Sequence, residues 1–258
     1  MPGSSVVAVA SGKGGVGKST ISLNLALALR GSGAAVGLLD ADVYGPDIPL
    51  MVNLKRSVPL RTWDLWRRDG LRLEPVERYG LRIMSVGFLL AEGQALTMPA
   101  PLLDGVLRQL LLDVDWGELD YLIVDLPPGT ADVQQRLLAV VELAGAIVVV
   151  SPQDVAHLDA RKVLDLLQSG GVRVLGGVEN MSGFECPHCG SRIDVFPTVP
   201  DERSIWSDGV ERLGAIPLDP MLARAGDAGR PLVATAPDSA SAAAFRALAA
   251  AVAEAVGR

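Results

Sequence analysis

Residues 12–20 read Gly12-Lys13-Gly14-Gly15-Val16-Gly17-Lys18-Ser19-Thr20, and this stretch decides the fold. It follows the apolar run Val6-Val7-Ala8-Val9-Ala10 and opens a helical pattern, Ile21-Ser22-Leu23-Asn24-Leu25-Ala26-Leu27-Ala28-Leu29. Gly12, Gly17, Lys18 and Ser19 satisfy G-x-x-x-x-G-K-[ST] between a strand and a helix, the context in which this motif cradles a polyphosphate. Glycines let consecutive backbone N–H groups curl around the phosphates, and the helix N-terminus adds a favourable dipole. In that arrangement Lys18 reaches the β- and γ-phosphates while the Ser19 hydroxyl ligates Mg2+. The expected ATP-binding set from this loop is Gly12, Lys13, Gly14, Gly15, Val16, Gly17, Lys18, Ser19 and Thr20.

Outward from the loop, apolar runs at 6–10, 35–39, 81–86, 121–124, 146–150 and 172–178 alternate with helical patterns near 18–30, 100–112, 131–142, 155–169 and 239–256. The runs are continuous, as strands covered on both faces should be. This predicts an α/β fold, a doubly wound and mostly parallel sheet, in a single P-loop ATPase domain over residues 1–258. Two stretches break the rhythm. Residues 50–80 mix Arg, Trp and Pro without a period, and 183–210 carry a cysteine pair followed by Phe-Pro-Thr-Val-Pro.

Composition narrows the classes. The chain is 49% hydrophobic but only 4% aromatic, so its core must be built from Leu, Val, Ile and Ala. A net charge of −7 and a pI near 4.9 argue against broad nucleic-acid binding, which needs a basic footprint. No apolar run reaches the length of a membrane span, and Met1-Pro2-Gly3-Ser4-Ser5 lacks the pattern of a signal peptide, so the expected location is cytoplasmic with no membrane partner.

Carboxylates follow two of the strands. Leu38-Leu39-Asp40-Ala41-Asp42 places two acids at a C-terminal strand end, where open α/β sheets bind ligands. Asp42 is expected to orient or activate the attacking water, with Asp40 nearer the magnesium shell; the plainer use of such residues is turn capping, next to Tyr44-Gly45-Pro46-Asp47. Tyr121-Leu122-Ile123-Val124-Asp125 fits a Walker B strand whose Asp125 holds Mg2+ through water. In the turn that follows, Gly129 is expected to offer its N–H at the γ-phosphate position. Val178-Glu179-Asn180 ends a further strand, and an Asn amide, which donates and accepts together, suits the edge of adenine. The Ile216-Pro217-Leu218-Asp219-Pro220 loop supplies Pro217 and Asp219 as companions for the base.

Cys186 and Cys189 are the chain's two cysteines, in a C-x-x-C within Glu185-Cys186-Pro187-His188-Cys189-Gly190. In a reducing compartment this pair is metal-binding or redox-active more readily than a disulfide. Two thiolates do not complete a four-ligand site, the sequence has no second C-x-x-C, and His188 is expected to be solvated. Two chains contributing two cysteines each make a four-thiolate site at a dimer axis, which suits a [4Fe–4S] cluster or zinc.

The second lysine makes the loop resemble the deviant Walker A motif of the ParA, MinD and nitrogenase iron protein group. That resemblance implies that Lys13 crosses a homodimer interface to the partner's nucleotide. A longer set of stretches resembles the Mrp/ApbC-type iron–sulfur cluster carriers, in the same order from about residue 6 to about residue 233. It comprises GKGGVGKST, Leu39-Asp40-Ala41-Asp42-Val43-Tyr44-Gly45-Pro46, Asp113 to Tyr121, Asp125-Leu126-Pro127-Pro128-Gly129-Thr130, Ser151-Pro152-Gln153-Asp154-Val155, Val178 to Ser182, the cysteine loop and the 216–220 loop. The resemblance implies a homodimeric ATPase with slow turnover that holds a labile [4Fe–4S] cluster on Cys186 and Cys189 and passes it to apoproteins. Lys13, Lys18, Ser19, Asp42 and Asp125 then carry the nucleotide chemistry. The chain departs from that family's usual pattern at 97–102 and 196–202. The competing reading is a ParA/MinD-like positioning ATPase, or a nucleotide switch with structural zinc. Its membrane-binding form calls for a basic amphipathic tail. Here the segment from Ser239 to Arg258 has only Arg246 and Arg258 as cations, with Phe245, Leu248 and Val252 spaced as on a core-docking helix.

Overall fold

Strand β1 (Ser5–Ser11) is the centre of the molecule, and Val7, Ala8, Val9 and Ala10 are fully buried. The computed structural model describes residues 3–54, 73–89, 100–129, 134, 140–186, 188–197 and 199–258. The helix expected over 131–142, much of the 50–80 excursion and residues 97–99 lie largely or wholly outside the described residues.

In chain order the further elements are α1 (Lys18–Gly31), β2 (Val36–Asp40), α2 (Ile48–Met51), β3 (Val76–Arg78), β4 (Leu81–Ser85) and α3 (Ala100–Leu112). There follow β5 (Tyr121–Asp125), β6 (Gly145–Val150), α4 (Asp154–Ser169), β7 (Val174–Asn180), β8 (Phe184–Glu185), β9 (Arg192–Ile193) and β10 (Arg212–Ile216). The chain closes with α5 (Pro220–Asp227), α6 (Leu232–Thr235) and α7 (Ala240–Ala255). Eight strands form one sheet in the order β10-β7-β6-β1-β5-β2-β4-β3, parallel throughout except for the β3–β4 pair at one edge. β8 and β9 form a separate antiparallel hairpin.

The doubly wound expectation holds. From β1 the chain winds outward through β2 and β4 on one side, then returns through β6 to β7 and β10 on the other. Helix α1 packs on β1, β2 and β5, and α7 packs on α1 and β10. Helix α4 packs on β1, β6 and β7. Because α1 is covered by the sheet on one side and α7 on the other, Ile21, Leu23, Leu25, Ala26 and Leu29 are all buried. The 239–256 segment is a core helix, as its spacing predicts: Phe245, Leu248 and Val252 are fully buried, and Ser239 caps its first turn by accepting from the Ala242 N–H at 3.2 Å.

One strand is shifted from its expected place, and another lies where no run was read. The run read at 172–178 forms a strand two residues later, Val174–Asn180, because Gly171 sits at φ 68 in the preceding turn. Nothing in the sequence predicts β10, since Arg212-Leu213-Gly214-Ala215-Ile216 is half exposed and lacks a continuous apolar run.

Register sets the working edge. Asp40 lies opposite Asp125 in the β2–β5 pairing, Asp40 opposite Ser85 in β2–β4, and Ile216 opposite Asn180 in β10–β7. All these residues end their strands at the edge where β1 runs into the glycine loop. That edge, at the point where winding reverses, is where such sheets bind ligands.

Candidate functional site

The loop's shape is dictated by its glycines. Gly15 and Gly17 have φ of 81 and 84, a region that favours glycine. Gly12 is required by proximity: a Cβ there would lie 2.2 Å from the Asp159 backbone carbon in α4. Asn180 fixes the loop from below, its Nδ2 donating to the Val16 carbonyl at 2.8 Å. The cleft above holds about 260 Å3 and is lined by Lys13, Gly15, Gly17, Lys18, Ser19 and Asp42 among others.

Lys18 is only 6% exposed, and its Nζ lies 2.9 Å from Asp125 and 3.5 Å from Asp42. Burial pulls its pKa down, but the charges of Asp125, Asp42 and Asp40 outweigh burial and hold it above the ordinary lysine value. Asp125 is fully buried and also accepts from Ser19 Oγ at 2.7 Å and Ser22 Oγ at 2.6 Å. Asp40, fully buried as well, accepts from Ser85 Oγ at 2.9 Å and from the N–H groups of Asp42 and Ile48. Burial and the nearby Asp125 charge push its carboxyl well above the usual carboxylate range. Burial also raises Asp42, against the pull of Lys18; Asp42 accepts from the Gly45 N–H at 3.2 Å.

Three carboxylates thus share one cation. When Lys18 turns to a phosphate, the cluster is left short of positive charge at the position where Ser19 and Asp125 already meet. A Ser hydroxyl and one carboxylate, with the remaining positions left to water and phosphate, is the donor set magnesium takes in nucleotide sites. The residues therefore fit Mg2+, which Ser19 and Asp125 would hold. Asp40 has a second occupation, since its hydrogen bonds to Ser85 and Ile48 brace the turn after β2.

Other expected residues are placed differently. The Gly129 N–H donates to the Ser11 carbonyl at 2.9 Å, so it is already engaged with the start of the loop. Lys13 folds back within its own chain, its Nζ 3.0 Å from Gln153 Oε1 just before α4. Asp219 caps α5, accepting from the Met221 N–H at 2.8 Å, and its other oxygen accepts from Ser241 Oγ at 2.6 Å. Pro217 follows Ile216, the register partner of Asn180, and so lies on the same edge. Thr20 contributes its carbonyl to Asn24 Nδ2 at 2.9 Å.

Cys186 and Cys189 are both free thiols on the turn of the β8–β9 hairpin, half-buried and exposed respectively. The turn is closed by Cys186 N–H to Ser191 carbonyl and Gly190 N–H to Cys186 carbonyl, each 2.9 Å, with Gly190 at φ 70. Hydrogen bonds from Ser191 and from Cys186 lower the Cys189 pKa, which favours the thiolate that binds metals. His188 is exposed, as expected. No cluster of three or more His, Cys, Asp and Glu with metal-binding geometry occurs among the described residues of this one chain.

Ser22, Ser85 and Gln153 join the site without being singled out by the sequence. Ser22 has a legible signal, one helical turn beyond Lys18 on the same face of α1. The other two depend on strand register and on the approach of α4, which no local pattern announces.

A lysine buried against carboxylates at the mouth of a glycine loop, with the loop feeding a helix N-terminus, is built to take phosphate; the fold and the site together define a P-loop NTPase. The comparisons with known proteins refine this. A family profile described as ParA, NUBPL iron-transfer P-loop NTPase, matches residues 4–253. An "iron-sulfur cluster carrier protein" of Synechocystis sp. is 47% identical over 95% of this chain and 69% of its own length. The "iron-sulfur cluster transfer protein NUBPL" of Mus musculus is 43% identical over 93% of this chain and 74% of its own length. A nucleotide-binding protein of Archaeoglobus fulgidus, solved in complex with ADP, superimposes with a TM-score of 0.71 at 37% identity, covering 87% of this chain and 86% of that one. The chain belongs to the NUBPL iron-transfer P-loop NTPase family. MinD of Pyrococcus horikoshii, at 24% identity and TM-score 0.69, shares the fold.

Proposed function

We propose that the protein is an ATP-dependent iron–sulfur cluster carrier. In this reading it is a cytoplasmic homodimer that holds a [4Fe–4S] cluster between the Cys186 and Cys189 pairs of two subunits, hydrolyses ATP slowly and hands the cluster to apoproteins. The observation that carries the reading is the pair of free thiols on a short hairpin in a chain with a complete P-loop centre. The names of the Synechocystis and mouse relatives support it. An exposed site releases its cargo readily, which a carrier needs, and the same four thiolates also suit zinc.

Binding begins with Lys18 leaving Asp125 and Asp42 for the phosphates of ATP, while the loop N–H groups take up the phosphate oxygens. Mg2+, when bound through Ser19 and Asp125, supplies neutralisation of phosphate charge. Asp42, relieved of Lys18, accepts a proton from the attacking water or orients it. Asn180, which holds the Val16 carbonyl through Nδ2, reads the edge of the base with the rest of its amide, and Pro217 packs against that base; Asp219 serves chiefly to hold that loop. Lys13 must let go of Gln153 before it reaches across to a partner's nucleotide.

The test is transfer. Anaerobically loaded protein should restore activity to a cluster-free [4Fe–4S] dehydratase, and a Cys186→Ala, Cys189→Ala variant should not. Equal restoration by parent and variant would refute the reading.

A further inference from the structure

The hairpin that bears the thiols is poorly packed. Residues 188–195 are all exposed, and even the apolar Ile193 is 49% exposed. A cleft of about 300 Å3, bordered by Met181, Ser182, Gly183, Arg192 and Trp206, separates it from the sheet edge. Elements held by so few contacts open and shift at little cost. Among the described residues, the hydrogen bonds that tie it to the body lie at a short run of chain, residues 180–183, and at one side chain.

At its first end the run touches the P-loop. Asn180 Nδ2 holds the Val16 carbonyl at 2.8 Å, and a Cβ on Gly17 would meet Asn180 Nδ2 at 2.2 Å and Met181 Cε at 4.0 Å. Its middle is anchored to β10 and the loop beyond, by Ser182 N–H to the Ile216 carbonyl at 3.0 Å and Leu218 N–H to the Gly183 carbonyl at 2.7 Å. The backbone turns sharply there: Met181 sits at φ 60, uncommon for a non-glycine residue, and Gly183 at φ 135. At its other end Arg192, in the returning strand of the hairpin, donates through Nη2 to the Ser182 carbonyl. Arg192 lies so close over Gly183 that a Cβ there would come within 2.9 Å of its Nε. Four consecutive residues, reaching at most ~14 Å even if extended, therefore join the phosphate loop to the thiol hairpin.

We propose that Arg192 is a positioning residue that ties the hairpin to the P-loop through residues 180–183, so that nucleotide binding changes the exposure of Cys186 and Cys189. This rests on the carrier reading for its purpose, but its test needs no cluster. Movement of the Val16 carbonyl when phosphate enters displaces Asn180, and the Ser182 carbonyl carries that displacement to the guanidinium. Without Arg192 the hairpin keeps its own turn hydrogen bonds and its chain link at Gly183, but loses the contact through which the loop's movement positions its returning strand.

The experiment uses chelator-treated full-length protein and measures the alkylation rate of each cysteine by mass spectrometry, with and without Mg-ADP. In the parent the rate should change by about threefold or more, the scale of losing or making one hydrogen bond. Arg192→Met, which keeps the stem but not the donor, should bind ADP as tightly as the parent with a rate ratio near one. Arg192→Lys, which retains a donor, should recover most of the dependence. A parent ratio retained in Arg192→Met, or a parent whose alkylation ignores nucleotide, overturns the proposal. Should Arg192→Met fail to fold, hydrogen exchange of residues 184–193 in the parent decides: protection unchanged by nucleotide overturns it. Iron and sulfide loading of the same proteins reports on the carrier reading separately.

Discussion

Replacing Lys18 by Met should destabilise the protein in a pH-dependent way before any nucleotide is added. Methionine keeps most of the buried stem and removes the charge. The loss leaves Asp125 fully buried without its cation at 2.9 Å and Asp42 without its partner at 3.5 Å. Removing one member of a buried pair costs ~3–5 kcal/mol. Ser19 and Ser22 still donate to Asp125, so the lower end, about 3 kcal/mol, is expected at neutral pH. The sign with pH follows from Asp40 and Asp42, whose folded pKa values are raised, first by burial. Such groups hold more protons folded than unfolded, so their contribution is full below the ordinary value of 3.8 and is lost as pH rises through the folded value. Lys18 lowers both folded values, so its removal raises them and carries the loss further up the pH scale. Lys18's own raised pKa adds stability that disappears only above 10.5 and plays no part in this window. Urea unfolding at about pH 4.5 and about pH 7.5 should show a small deficit for Lys18→Met at the lower pH and the large one at the higher. Equal stability at the higher pH, or the same deficit at both, would refute the charge-sharing argument.

Asp42→Asn keeps the acceptor for the Gly45 N–H and should bind Mg-ATP, while phosphate release slows by ~10²–10⁴-fold, the usual worth of a general base; unchanged turnover removes Asp42 from the reaction. Lys13→Ala should bind nucleotide nearly as well as the parent yet lose turnover and ATP-linked dimer formation by light scattering; full activity from a monomer would refute its role across the interface. Gly12→Ala should lower the melting temperature, with a cost of ~1–3 kcal/mol or more, because its Cβ would overlap the Asp159 backbone; an unshifted transition would mean that α4 sits farther from the loop. Phe245→Ala should cost ~3–5 kcal/mol, since the ring is fully buried between α7 and the core; a loss below ~1 kcal/mol in urea unfolding would contradict that docking.

Much of this architecture is legible in the sequence because it is local. Continuous apolar runs at 6–10, 121–124 and 146–150 are β1, β5 and β6, and the glycine loop sits between β1 and α1 as its spacing requires. The acids at 40, 42 and 125 come together because they close or follow strands at the same sheet edge, a consequence of the parallel fold. What escapes depends on contacts between distant segments. β10 carries Arg212 and Gly214 and is recognisable only by its pairing with β7. Asp219 suggests a base contact from its loop, but a carboxylate two residues before Met221 also makes a helix cap, and Ser241 takes its other oxygen. Gln153 holds Lys13 across a separation of 140 residues, which no periodicity encodes.

The most direct measurement is anaerobic reconstitution of the full-length protein with iron and sulfide, counting both per dimer in the parent and in the Cys186→Ala, Cys189→Ala variant. About four irons and four sulfides per parent dimer, absent from the variant while both bind Mg-ATP alike, is the result expected of a [4Fe–4S] cluster shared by two hairpins. Equal iron in the two proteins, or a parent that binds nucleotide normally and stays free of iron, would contradict it.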